Sequence, residues 1–213
     1  MLALYTDLHR HPELSLMEER TAGVIAKELR AAGLEVTEGF GGGFGVVGVL
    51  RNGPGPTVLL RADLDGLPVL EETGLPYAST RRTKNLSGQE VPVMHACGHD
   101  VHMTCLVGAA RTLAALKDRW SGTLVFVGQP AEETGEGARW MVEDGAMEGV
   151  RALFGVHTFP SLAAGRIGGL FTGIHHAARD LQGRRLNAVA PLPHQHDPPI
   201  VEQRNHVDPL RSL

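Results

Sequence analysis

The sequence predicts an α/β fold: a sheet with helices on both faces. Short apolar runs with strand character alternate with segments of helical periodicity. Three of those apolar runs lead directly into ionisable residues: TVLLR into Asp63 and Asp65, TLVFVGQPA into Glu132 and Glu133, and ALFGV into His157. Ligand sites in open α/β sheets lie beyond the carboxyl ends of the strands. Three separate segments are therefore expected to deliver polar side chains to one sheet edge.

The first element read from the pattern is a helix. Ser15 and Glu18 have capping-box spacing, Ala22, Ile25, Ala26 and Leu29 share a face, and Gly33 suits the position just past the end. LEVTEGF and FGVVGVL follow as strands around Gly41–Gly43, Asn52-Gly53 has the form of a hairpin turn, and Thr57–Asp63 is a third, buried strand. Asp100 is expected to cap a second helix running to about Lys117, with Leu106, Ala109, Ala110 and Leu113 facing inward. A strand over residues 123–128, a short helix over Gly137–Asp144 and a strand over residues 152–156 complete the pattern. Beyond residue 175 the chain is rich in proline and histidine without a period of 2 or 3.6, and reads as irregular.

Composition narrows the function classes. The chain has 213 residues, 42% of them hydrophobic, a net charge of -4, and scattered basic residues that form no nucleic-acid footprint. Its mean hydropathy is -0.07. No apolar run reaches the length of a membrane span, and the N-terminus lacks the layout of a signal peptide. Two cysteines, Cys97 and Cys105, do not make a disulfide framework, and reduced thiols point to a cytoplasmic location.

The eleven histidines cluster, and the densest group is HACGHDVH over residues 95–102. A thiolate and imidazoles are ligands suited to zinc and similar divalent metals. Gly98 lets the backbone turn so that Cys97 and His99 reach one centre, and Asp100 is placed to hold an imidazole N–H. Glu132 and Glu133 are adjacent carboxylates after a buried strand, costly unless a cation or proton compensates them. If one binds metal, the other is free for acid–base work. Asp63 or Asp65 would orient a ligand, with Arg61 as counter-charge. Taken singly, each of these also fits a bland role: a histidine-rich loop, a solvated helix start, a salt-bridged strand end, a core histidine. Their convergence on one edge favours a shared site.

LHRHPELS, VLLRADLDGLP, MHACGHDVH, GQPAEETGEGA and FGVHTFP occur in that order. Together they resemble the amidohydrolase branch of the aminoacylase/carboxypeptidase metallopeptidases, which includes hippurate hydrolase, N-acyl-amino-acid amidohydrolases and auxin–amino-acid conjugate hydrolases. The resemblance covers roughly residues 7–175. It implies a zinc-peptidase-like three-layer α/β/α sheet and a site for two divalent ions, Zn2+ or Mn2+, spaced ~3.5–4 Å as two-metal sites usually are. It implies Cys97, His99, Glu133 and His157 as metal ligands, Glu132 as general base and Asp63 as the residue that orients a ligand. The implied reaction is hydrolysis of the amide bond of a small N-acyl amino acid by a metal-activated water.

The resemblance also implies more chain than is present. Its members insert an α+β lid and dimerisation domain after about the point reached at Gly168, then return to supply a last histidine ligand. The expectation is an incomplete catalytic domain over residues 1–175 and an irregular tail over 176–213. That tail would be truncated or frame-shifted, with the dimer surface absent. His194, His196 and His206 lack the context of the last ligand. Two further readings stay open: an inactive fragment that still binds metal, and a structural zinc module in which Cys97 and His99 only hold a loop.

Overall fold

The apolar runs assemble into one five-stranded mixed sheet in the computed structural model, which describes residues 1–161, 167–169 and 201–203. Its strands are β1 (Glu35–Phe40), β2 (Gly45–Asn52), β3 (Thr57–Asp63), β6 (Gly122–Gln129) and β7 (Val150–Gly155), in the order β1-β2-β6-β3-β7. β1 and β2 are antiparallel, as are β2 and β6, while β6, β3 and β7 run parallel. A two-stranded hairpin, β4 (Arg82–Lys84) and β5 (Glu90–Pro92), stands apart. In the unit formed by residues 159–213, β8 (Ile167–Gly169) pairs antiparallel with β9 (Val201–Gln203). The tail read as irregular, residues 176–213, otherwise lies outside the described residues.

The helices are α1 (Leu2–Arg10), α2 (Glu19–Ala31), α3 (His99–Ala115) and α4 (Gly137–Glu143). Alternate strand residues face opposite layers. Val46, Leu50, Ala62 and Phe126 pack with Leu8 of α1, Ile25 and Leu29 of α2, and Met103 and Leu106 of α3. Val47, Leu59, Val125 and Val127 pack on the other face with Met141 of α4 and with Ala146. The expected three-layer arrangement is present, and no lid domain is seen among the described residues.

Three local readings are corrected. The Asn52-Gly53 turn joins strands that are not partners, because β6 lies between β2 and β3. The Asn52 amide instead donates to the Lys117 and Trp120 carbonyls, tying the turn to the segment that leads into β6. Ser15 and Glu18 do not form a capping box. Ser15 Oγ donates to Asp65 Oδ2, Glu18 caps nothing with its side chain, and Glu13 serves the α2 N-terminus by accepting from the Arg20 and Thr21 N–H groups. Asp100 sits inside the first turn of α3 and Gly98 is the N-cap. The C-terminal end of α2 matches expectation: Gly33 has φ +86°, its N–H meets the Arg30 carbonyl, and Leu34 N–H meets the Leu29 carbonyl. That is the Schellman pattern.

α1 escaped the sequence reading, though Leu4 and Leu8 share a face of it. It carries His9, whose ring is buried between two carboxylates: Nδ1 lies 2.6 Å from Asp100 Oδ2 and Nε2 lies 2.9 Å from Glu71 Oε1. The side-chain exposures are 7% for His9, 2% for Asp100 and 0% for Glu71. Burial alone would lower the His9 pKa, but the hydrogen bonds to Glu71 and Asp100 outweigh it and raise the value above the usual 6.5. Removing one partner of a buried ion pair leaves the other charge uncompensated, so His9→Ala is expected to cost about 3 kcal/mol in urea unfolding. The folded pKa is raised, so this contribution is fully present below about pH 6.5 and is lost as pH rises through the folded value. The stability gap between wild type and His9→Ala should therefore narrow toward alkaline pH.

Gly98 adopts φ +81°, and a Cβ there would lie 2.6 Å from Thr158 Oγ1. That hydroxyl donates to the Cys97 carbonyl at 2.9 Å. Gly98→Ala combines a left-handed alanine with displacement of this bond and is expected to destabilise by about 1–3 kcal/mol in the same unfolding measurement.

Candidate metal centre at the sheet edge

The three parallel strands end in register. Asp63 lies opposite Gln129, and Arg61 lies opposite Gly155. This alignment brings the polar residues that follow each strand to the N-terminus of α3, whose first residue is His99.

His99 is the centre of the cluster and is wholly buried. Its Nδ1 lies 2.8 Å from the Asp65 carbonyl oxygen and 3.3 Å from Asp65 Oδ1. Its Nε2 has no hydrogen-bond partner among the described residues. Around that nitrogen stand Asp63 Oδ2 at 3.6 Å, Glu132 Oε2 at 3.7 Å and Glu133 Oε1 at 3.7 Å. Cys97 Sγ is 3.4 Å from His157 Nε2, and the donor atoms of Cys97, His99 and His157 lie within 4.8 Å of one another. The donor atoms of His99, Glu132 and Glu133 form a second such group. All five residues proposed from the sequence as ligands or base thus share one locus, and both groups include His99.

Asp63 and Asp65 divide the supporting work. Asp65 lies against His99 Nδ1, and its Oδ2 also accepts from Ser15 Oγ and the Glu133 N–H. Asp63 Oδ1 is 2.7 Å from His102 Nδ1, and its Oδ2 accepts from Arg61 Nη1 at 2.7 Å, the counter-charge anticipated for it. The imidazole held by Asp100 is that of His9, away from this cluster. His102 was visible in the HACGHDVH run but had no assigned task. Its Nε2 accepts the Thr158 N–H at 2.8 Å, so Nδ1 donates to Asp63 and neither ring nitrogen is free. One imidazole thereby connects the end of β3 to the residue after His157.

The carboxylates gathered at the site shape its electrostatics. Burial would raise the Asp63 pKa, but the His102 hydrogen bond and the Arg61 charge outweigh it and hold the carboxyl well below its usual range. Burial would lower His99, yet Asp65 and Asp63 bring it up to about 9. Burial, Glu133 and Glu132 push the Cys97 thiol up to about 11. Burial and the neighbouring Glu132 raise Glu133, against the pull of His99. An orphaned buried imidazole nitrogen, facing carboxylates with a thiol and a second imidazole alongside, is a donor set that fits a divalent cation of the zinc type. The Glu132 and Glu133 side chains are 27% and 21% exposed and His157 is exposed, so the cluster is open to solvent on one side.

Both cysteines are free, and no helix among the described residues is long and apolar enough to cross a membrane. Comparison with known proteins gives a consistent answer. The model of peptidase family M20/M25/M40 matches residues 59–208. A probable hydrolase from Synechocystis is 44% identical over 177 residues, covering 82% of this chain and 42% of that protein. The N-acetyl-L-cysteine deacetylase of Bacillus subtilis is 37% identical over 220 residues, covering 100% of this chain and 50% of that protein. The crystal structure of a dinuclear metal binding peptidase from the M20 family of Bacillus subtilis superposes with a TM-score of 0.70 at 38% identity, covering 77% of this chain and 44% of that one. The chain spans about half the length of the curated relatives it matches. With that span, and with a family match over more than half of its residues, the chain belongs to peptidase family M20/M25/M40.

Proposed function

We propose that this chain carries a metal-dependent hydrolase site that cleaves the amide bond of small N-acyl amino acids. The observation that carries the reading is the orphaned Nε2 of buried His99, facing Glu132 and Glu133 with Cys97 and His157 beside it. The similarity to a deacetylase of N-acetyl-L-cysteine supports the substrate class, and the dinuclear metal binding of the Bacillus subtilis structure supports two ions, Zn2+ or Mn2+.

In this reading Cys97, His99, Glu133 and His157 hold the metal. When bound, the metal polarises the amide carbonyl and makes a water acidic at neutral pH. Glu132 is the general base: it takes the proton of the attacking water and returns a proton to the leaving amine. It is suited to this by position, since it is partly exposed and adjacent to Glu133. Asp65 fixes the His99 ring through Nδ1, leaving Nε2 to face the site. Asp63 faces that nitrogen from the strand end and holds His102 with its other oxygen. The proposed catalytic residues are therefore Glu132 and Asp63, within a catalytic domain extending to residue 175.

The test joins metal analysis to a hydrolysis assay on the full 213-residue chain. Wild type is expected to bind Zn2+ or Mn2+ and to release amino acid from an N-acetyl amino acid. Glu132→Ala should keep the metal and lose at least about a hundredfold in kcat, the scale of general-base catalysis. A metal-loaded wild type without turnover would replace the enzyme reading with that of an inactive metal-binding fragment. Unfolding on chelation alone, again without turnover, would favour a structural zinc module.

A further inference from the structure

The carboxylate of Glu18 has no task in the site described so far, yet it is 0% exposed. It sits at the start of α2 and makes no capping bond there. Oε1 accepts the N–H of Ala131 at 2.8 Å, across 113 positions of sequence. Oε2 is buried without a partner among the described residues. A buried carboxylate with one oxygen unsatisfied is costly and persists only where the surrounding structure demands it.

Ala131 supplies the demand. It has φ +50°, and the only other non-glycine residue with positive φ among the described residues is Leu16 at +65°. Left-handed backbone strains a residue with a Cβ and has to be held by its surroundings. These two positions lie in the segments that meet here: Leu16 between Ser15 and Glu18, Ala131 immediately before Glu132 and Glu133. Ser15 Oγ donates to Asp65 Oδ2 at 2.6 Å, and the same oxygen accepts the Glu133 N–H at 3.0 Å. The peptide N–H groups on either side of Glu132, those of Ala131 and Glu133, are thus each anchored by a buried carboxylate.

We infer that Glu18 is a positioning residue: its carboxylate clamps the Ala131 peptide in the left-handed conformation and so sets the direction in which Glu132 and Glu133 leave the sheet edge toward His99. The inference rests on the proposed roles of Glu132 and Glu133. Burial pushes the Glu18 carboxyl up to about 7, against the lowering effect of the Ala131 N–H. An uncharged amide of the same shape is therefore a fair replacement.

The test measures Zn2+ affinity of the full chain by competition with a chromophoric chelator, with far-UV circular dichroism as the control for folding. Glu18→Ala should weaken Zn2+ binding at least about tenfold, as loss of a residue supporting the ligands does. Glu18→Gln, which keeps an acceptor for the Ala131 N–H, should stay within about threefold of wild type. Glu18→Ala/Ala131→Gly should recover part of the loss, because glycine adopts positive φ unaided. In a Glu133→Ala background, Glu18→Ala should add less than about twofold, the non-additivity expected of residues acting through one another. A folded Glu18→Ala with wild-type affinity, a Glu18→Gln as weak as Glu18→Ala, or additive losses would each overturn the inference. Should Glu18→Ala not fold, the double variant and Glu18→Gln decide: an unfolded double variant or a weakened Gln variant overturns it. If Glu133→Ala itself leaves Zn2+ affinity unchanged, the ligand assignment fails instead, and the inference with it.

Discussion

Burying a carboxylate without partners costs far more than a domain of this size can absorb, and this constraint organises the molecule. Asp63, at the end of β3, and Asp65, two positions on, are wholly buried. Each must find donors, and the donors they find come from several of the elements that border the site. The Asp65 carboxylate takes Ser15 from the segment before α2 and the Glu133 N–H from the segment after β6, while its backbone carbonyl takes His99 from the start of α3. Asp63 takes Arg61 from its own strand and His102 from the next turn of α3. The hydrophobic layers bring these elements near one another. The two carboxylates decide their registration at the scale a metal site requires.

The same constraint explains which features could be read from the sequence. Apolar runs ending in Asp63, Glu132 and His157 were legible because strand burial and strand ends are local patterns. The end of α2 was legible because the Schellman turn needs only Gly33 and its neighbours. The strand order was not, because β6 enters between β2 and β3 from more than sixty residues away. Asn52-Gly53 therefore looked like a hairpin turn while its amide was committed to Lys117 and Trp120. Ser15 and Glu18 failed as a capping box for a related reason: their side chains satisfy distant buried groups, Asp65 and Ala131, and a local motif loses to a tertiary partner that would otherwise go unpaired. The buried His9–Asp100–Glu71 group joins residues 91 and 62 positions apart and has no local signature at all. Of the site, the residue types and their convergence were legible, while the division of labour between Asp63 and Asp65 became visible only with the carboxylate directions in view.

The two ends of the cluster are held in physically different ways. His99 is fixed by burial and by Asp65, inside the apolar layer that α3 makes with the sheet. His157 follows β7, which among the described residues pairs with β3 alone and whose residues Leu153, Phe154 and Gly155 are all exposed, as is Val156 just beyond it. Apolar burial at that strand end therefore contributes little to placing His157. Polar contacts take over: the Thr158 N–H donates to His102, the Thr158 hydroxyl donates to the Cys97 carbonyl, and His157 Nδ1 lies 2.6 Å from the Thr158 carbonyl. Through His102 this chain of contacts ends on Asp63. The exposed histidine is thus tied back to the same buried strand end as the buried one. The spacing between His99 and His157 is set by hydrogen bonds of definite direction rather than by the softer fit of an apolar edge.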